Sequence, residues 1–342
     1  MTAEAPPFWW RQHDWRAYLL YPVSAVYGAV ARSRMDMARP PEAGIPVLCI
    51  GNLTVGGAGK TPMAIAMAKA ARKLGHKPGF LTRGHGRGLT HPRLADPKSD
   101  TAWHSGDEAL LLAANAPTAV ATNRKAGVEL LIGEGCDFAI MDDGFQSVRL
   151  RYDFALIVVD AHRGIGNGHV IPGGPLRAPL KAQIRRASAI VTMGQGNAAD
   201  PIIRQASRAG KPVHSADVRV INPRKFAGRR FFAFAGIGNP QKFFDTLEAC
   251  GGQVVAVREF GDHHAYSDPE ITEMARAAGN ASLELITTEK DAARFVNGNT
   301  AATKFLSMLD VLKIDAEFDP PELAERIVTE TVENFRLRRF SA

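Results

Sequence analysis

Residues 47–62 read "VLCIGNLTVGGAGKTP", and the fold is decided there. An apolar, strand-like run passes through a glycine-rich stretch into "KTPMAIAMAKAARKLG", which has the apolar spacing of a helix closed by Gly75. Strand, glycine loop and helix in this order form a phosphate-binding loop, whose full pattern is G-x-x-x-x-G-K-[ST]. Here "TVGGAGKT", Thr54 to Thr61, carries Thr54 in place of the first glycine. Gly56, Gly57 and Gly59 leave room for backbone amides to approach phosphate oxygens. Lys60 is expected to contact the β- and γ-phosphates and Thr61 to bind Mg2+, while Pro62 fits the first helical turn. The nucleotide site is therefore expected to comprise Thr54, Val55, Gly56, Gly57, Ala58, Gly59, Lys60 and Thr61.

Downstream, apolar runs alternate with helical patterns, as in a parallel sheet covered on both faces. "KPGFLTRG", "PTAVATN", "CDFAIMDD", "FALIVVDA" and "ASAIVTM" read as strands, with helices between them. The expected fold class is α/β: a P-loop NTPase-like, doubly wound, mostly parallel sheet over residues 45–222. The basic, turn-prone "RVINPRKFAGRR" marks a boundary to a smaller α/β unit, 223–342. Its last helix, "PPELAERIVTETVENF", sets Leu323, Ile327, Val328, Val332 and Phe335 on one stripe and is expected to pack back on the core.

A phosphate loop needs an acidic group at the end of a neighbouring strand to organise Mg2+. "FAIMDDGFQ" supplies Asp142 and Asp143, whose side chains leave a strand on opposite faces unless Gly144 bends the chain. A plain exposed turn is the other reading of "DDG". The guanine-reading pattern [NT]-K-x-D fails in "TTEKDAAR", where Ala292 stands two residues after Lys290. Two loops at strand ends suit an anionic acceptor: "TRGHGRG", with Arg83 and Arg87, and "GNGHVIPGGPLRAPL", with Asn167, His169 and Arg177. "SGDEALLL" offers Asp107 and Glu108 at a helix start, either as caps or for proton chemistry. "EFGDHHAYSD" offers Asp262, His263 and His264, with no third ligand at metal spacing.

The N-terminal 44 residues differ in character. Three tryptophans precede an uncharged run from Ala17 to Ala31, interrupted by Pro22. As a helix that run spans about 22 Å, short of the roughly 30 Å hydrocarbon core. It reads as a segment lying in a membrane interface, with Arg11, Arg16, Arg32, Arg34 and Arg39 toward anionic lipid. Packing on the protein's own core is the alternative. The net charge of +7 over 342 residues calls for an acidic partner. Nucleic acid is set aside, because the aromatics cluster at one end and do not lie along basic stripes. Cys49, Cys136 and Cys250 are isolated, which fits a reducing cytoplasm and excludes a disulfide framework.

Taken in order, "GNLTVGGAGKTP", "TRGHGR", "GDEALLL", "DDGFQ", "GNGHVIPGGPLRAPL", "FAGIGNPQKFF", "DHHAY" and "TTEKDAAR" resemble the tetraacyldisaccharide 4'-kinase family, the lipid A 4'-kinases of Gram-negative bacteria. The resemblance implies transfer of the γ-phosphate of ATP, with Mg2+, to the 4'-hydroxyl of a tetraacyldisaccharide 1-phosphate. It places the protein at the cytoplasmic face of the inner membrane, against its anionic surface, with no protein partner. It also implies Asp107 as general base supported by His263, Lys60 and Thr61 on phosphates and Mg2+, and Asp142 and Asp143 near the metal. Arg83, Gln146, Asn167 and Arg177 are carried over to the substrate. Ala178 departs from the family's usual acidic residue after the arginine. A P-loop kinase for a soluble phosphorylated sugar or other small metabolite is the alternative function.

Overall fold

The computed structural model describes residues 5–57, 59–84 and 91–340. Ala58 of the phosphate loop and Arg87 of "TRGHGRG" lie outside the described residues.

Two sheets organise the chain. The strands are β1 (Val47–Gly51), β2 (Pro78–Thr82), β3 (Arg93–Leu94), β4 (Thr118–Val120), β5 (Phe138–Asp142), β6 (Phe154–Asp160), β7 (Ala189–Met193), β8 (Val213–Val220), β9 (Arg230–Ala235), β10 (Gln253–Glu259), β11 (Glu284–Thr288), β12 (Leu309–Leu312) and β13 (Ile314–Asp319). The first sheet has nine strands in the order β13-β8-β7-β6-β1-β5-β2-β4-β3. It is parallel except at its two edges, where β13 and β3 run antiparallel to their neighbours. The second has four parallel strands in the order β10-β9-β11-β12. This is the mostly parallel α/β class expected from the sequence.

The alternation of side chains explains the apolar runs. In β1, Leu48 and Ile50 join a core beneath helix Lys60–Lys73, while Val47 and Cys49 join the core on the other face. With both faces covered, every position must be apolar. Helix Leu323–Phe340 buries Leu323, Ile327, Val328, Val332 and Phe335, and packs against helix Lys60–Lys73. Strand β13 pairs with β8, so the end of the chain returns to the first sheet.

The N-terminal segment forms a short 3-10 turn, Pro7–Trp10, then helices Trp15–Leu19 and Tyr21–Met37. Pro22 does not cut the second helix; it occupies the first turn, where no N–H is needed. Two faces divide the roles. Ser24, Gly28 and Met35 are buried, and Ser24 Oγ accepts a hydrogen bond from the Gly173 N–H at 2.9 Å. A Cβ on Gly28 would stand 3.3 Å from Pro179, so glycine permits this close seating on the 165–180 loop. Val23, Val26, Tyr27 and Val30 point outward at i, i+3, i+4 and i+7 spacing, continued by Trp15, Tyr18, Leu19 and Tyr21. None of the described helices is long and apolar enough to cross a membrane.

Candidate active site

The site forms at the carboxyl ends of β1, β5 and β6, where the order of strands reverses about β1. Crevices at such switch points are where open α/β sheets bind ligands. Ile50 of β1 lies in register with Asp142 of β5, so the phosphate loop and the acid pair leave adjacent strands side by side. Gly59 takes φ +82 at the helix start, a left-handed conformation that glycine adopts without cost. The helix beginning at Lys60 then directs its free N–H groups at the loop.

The loop is held from one side by the 165–180 segment. Thr54 forms a β-bridge with Leu176, and the Val55 N–H donates to the Pro175 carbonyl at 2.9 Å. Asn52 Nδ2 closes it from within by donating to the Gly56 carbonyl at 2.8 Å. Phe8, Trp9 and Ala17 of the N-terminal segment pack in the same cluster as Val55. Trp9 Nε1 also donates to the Pro172 carbonyl at 2.9 Å.

The two aspartates differ. Asp142 is buried, and its Oδ1 has no hydrogen-bond partner among the described residues. Burial, reinforced by the nearby charge of Glu108, pushes its carboxyl up to about 7. Asp143, at φ +50, turns out of the strand; its carboxylate lies 3.8 Å from Lys60 Nζ and takes the fork of Arg177. Burial acts to raise Asp143 as well, but Lys60 and Arg177 outweigh it and hold the carboxyl below its usual value. An orphaned buried carboxylate oxygen with a second carboxylate at the next residue offers oxygen donors, which suits Mg2+.

A second cluster joins the first sheet to the second. Asp107 begins helix Asp107–Ala113, and His263 lies in the loop after β10 at φ +60. His263 Nδ1 stands 3.0 Å from Asp107 Oδ2. Arg294 donates to the same oxygen from Nε at 2.9 Å, and its Nη2 lies at 2.8 Å. Asp107 Oδ1 accepts from the Glu108 N–H at 2.8 Å. Burial acts to raise the Asp107 carboxyl, yet the His263 hydrogen bond and the charges of Lys290 and Arg294 prevail, holding it well below the usual carboxylate range. His264 faces elsewhere: it stacks on Phe260 at 4.7 Å, and its Nε2 lies 3.0 Å from Glu270, which caps helix Asp268–Asn280.

The other residues read from the sequence are placed as follows. Gln146 donates to the Asn52 carbonyl at 2.7 Å and to Gln183 Oε1 at 3.0 Å, and receives Arg177 Nη1 at 3.3 Å. Arg83 is exposed beyond the end of β2. Asn167 donates to the Gly173 carbonyl at 2.9 Å and to the Phe8 carbonyl at 3.4 Å, and accepts from the His169 N–H at 3.1 Å. Sequence reasoning passed over Asn52, Gln183, Arg124, Lys290 and Arg294. Arg124 is fully buried, with Nη2 unpartnered among the described residues, and burial lowers its guanidinium to about 10. Lys290 and Arg294 had a legible signal: spaced four apart in "TTEKDAAR", they share one face of a helical turn.

A glycine phosphate loop at the switch point, faced by an acid pair and a carboxylate–imidazole pair, defines a P-loop phosphotransferase. Residues 16–332 match the family model described as tetraacyldisaccharide-1-P 4'-kinase. The chain belongs to that family. The tetraacyldisaccharide 4'-kinase of Mesorhizobium japonicum is 53% identical over 99% of both chains, and that of Chelativorans sp. is 49% identical over 98% of both. The crystal structure of LpxK from Aquifex aeolicus, determined in complex with ATP, superposes with a TM-score of 0.71 at 23% identity. It covers 92% of this chain and 99% of its own, a likeness of fold.

Proposed function

We propose that this chain transfers the γ-phosphoryl group of ATP to the 4'-hydroxyl of a tetraacyldisaccharide 1-phosphate at the cytoplasmic face of the inner membrane. The observation that carries this reading is the Asp107–His263 pair beside a phosphate loop, with Glu108 close enough to Asp142 to raise its carboxyl. For this purpose the chain divides into an N-terminal segment (1–44), a phosphate-loop core (45–222) and a second unit from 223, whose last strand and helix return to the core.

Each residue then has a task. The loop amides and Lys60 hold the phosphates, while Thr61, Asp142 and Asp143 would hold Mg2+, which neutralises phosphate charge. Arg177, fixed on Asp143 and on the Thr54 carbonyl at 3.1 Å, lends positive charge at the mouth of the loop. Asp107 Oδ2 takes Arg294 and the shorter His263 contact, and Oδ1, which accepts from the Glu108 N–H and lies 3.2 Å from His263 Nδ1, is the oxygen assigned to the acceptor hydroxyl. As the sugar oxygen bonds to phosphorus, its proton grows acidic and passes to Asp107, while the bond to the β-phosphate oxygen breaks and ADP leaves with that electron pair. A carboxylate of such low basicity suits late proton transfer. Arg83 and the 165–180 loop are assigned to the acceptor side, by their place at the strand ends.

The outward apolar stripe of helices Trp15–Leu19 and Tyr21–Met37 favours a lipid acceptor over a soluble sugar. The test is transfer of labelled γ-phosphate to tetraacyldisaccharide 1-phosphate in detergent, with Lys60→Ala as control. Labelled lipid that vanishes in the variant supports the assignment. Bound ATP with no labelled lipid would leave the soluble-sugar alternative standing.

A further inference from the structure

The ammonium of Lys290 lies among three groups from two parts of the molecule. It is 3.2 Å from Glu108 Oε1 of the core, 3.3 Å from Asp262 Oδ1 and 3.3 Å from His263 Nε2. We propose that Lys290 is a positioning residue of the kinase reaction: its ammonium, anchored between Glu108 and Asp262, caps His263 Nε2 and fixes the imidazole in the tautomer that donates from Nδ1 to Asp107. This rests on the kinase reading above, and it adds a residue that acts only through His263.

An ammonium has three donors and no acceptor, so facing Lys290 the Nε2 atom must present its lone pair. The proton of a neutral imidazole then belongs on Nδ1, 3.0 Å from Asp107 Oδ2, where it donates to the carboxylate. A doubly protonated ring would set an N–H against an ammonium. The tautomer is thus set from both ends, and Asp107 stays the proton acceptor with His263 as its donor.

The charges around His263 act in opposing directions. Asp107 and Glu108 face it from helix Asp107–Ala113, Lys290 and Arg294 from the segment after β11, and Asp262 from its own loop. The hydrogen bond to Asp107 raises the imidazole above its ordinary value, while burial and Lys290 work against that rise. Burial also works against the Lys290 charge, but Glu108, Asp107 and Asp262 prevail and keep it raised. Removing Lys290 therefore lets His263 charge at higher pH, and the acidic limb of the rate profile should move upward.

The test uses the full chain in detergent with ATP, Mg2+ and the lipid acceptor, comparing wild type with Lys290→Met and Lys290→Arg. For Lys290→Met we expect kcat to fall at least about tenfold with KM for ATP nearly unchanged, and the acidic limb to shift to higher pH. Lys290→Arg, which keeps both charge and donors, should recover part of the loss. In parallel, 15N NMR of the imidazoles, with His263→Asn for assignment, should show His263 protonated at Nδ1 in wild type and a mixed tautomer in Lys290→Met. An unmoved pH profile with the Nδ1 tautomer retained in Lys290→Met would overturn the proposal, even if kcat fell. If Lys290→Met does not fold, a wild-type or Lys290→Arg spectrum with the proton on Nε2 overturns it equally. If wild type phosphorylates no lipid, the kinase reading fails while the NMR arm still decides the role of Lys290.

Discussion

Arg177 sets its guanidinium fork on both carboxylate oxygens of Asp143, Nη1 to Oδ1 at 2.8 Å and Nη2 to Oδ2 at 3.1 Å. Its Nε meanwhile donates to the Thr54 carbonyl at 3.1 Å. One side chain therefore joins the acid pair after β5 to the first residue of the phosphate loop. Only a planar, multi-donor group holds three such acceptors at once. Arg177→Lys should accordingly behave nearly as badly as Arg177→Ala, with kcat reduced about tenfold or more in steady-state assays. Wild-type turnover in the lysine variant would show that charge alone suffices.

Asp107 meets a related test with a different signature. Replacing it by Asn keeps the shape and removes the proton acceptor, so kcat should fall by about a hundredfold or more while KM for ATP moves little. Stability should respond as well, because Arg294, also buried, loses one of its two carboxylates. The partners hold the Asp107 carboxyl below its ordinary value of 3.8, so its contribution is full above that value and is lost as pH falls toward the depressed one. Urea unfolding should therefore show the Asn variant weaker at neutral pH, with the gap narrowing below about pH 4. A gap independent of pH would contradict the ion-pair account.

The parts that the sequence made legible were those fixed by local chemistry. Gly56 to Thr61 follow from what a backbone must do around phosphate, and the strands from apolar runs that only a doubly covered sheet requires. The stripe on helix Leu323–Phe340 followed from periodicity. Packing back on the core was the destination expected for it, since such a stripe needs a surface to cover. Arg294 reaches Asp107, and Lys290 reaches Glu108, across more than a hundred and eighty residues of chain, and no spacing rule spans that distance. Asn167 stands in a polar loop of the kind where substrate residues are sought, and its amide ties that loop to itself and to the Phe8 carbonyl. The two readings of the N-terminal segment were not exclusive, because a helix has room for a docked face and an exposed one.

Asp142 offers a trade between stability and activity. A carboxylate buried with an unpartnered oxygen costs folding energy that a cation would offset. Asp142→Asn should raise Tm in nucleotide-free, Mg2+-free buffer and lose the further stabilisation that MgATP gives wild type. Its kcat should fall by about a hundredfold. Calorimetry with and without MgATP reads both effects. A lower Tm without ligand would mean that the carboxylate is satisfied in the folded protein.

The N-terminal segment calls for a gentler change than deletion. Phe8, Trp9, Ala17 and Met35 are buried, and Val55 of the phosphate loop packs with the first three, so removing residues 1–35 would strip cover from the nucleotide site. Substitution on the outward face avoids this. Leu19, Val26 and Val30 are 69%, 67% and 47% exposed, and replacing all three by Glu leaves the docked face intact. On a bilayer these side chains would enter the interface, where apolar burial adds to the attraction between basic residues and anionic headgroups. The triple variant should lose co-sedimentation with phosphatidylglycerol vesicles and be slow on vesicle-borne acceptor. ATP binding should stay within about twofold of wild type, since the loop's own contacts are untouched. If the variant sediments as wild type does, the exposed stripe is not the lipid-facing surface.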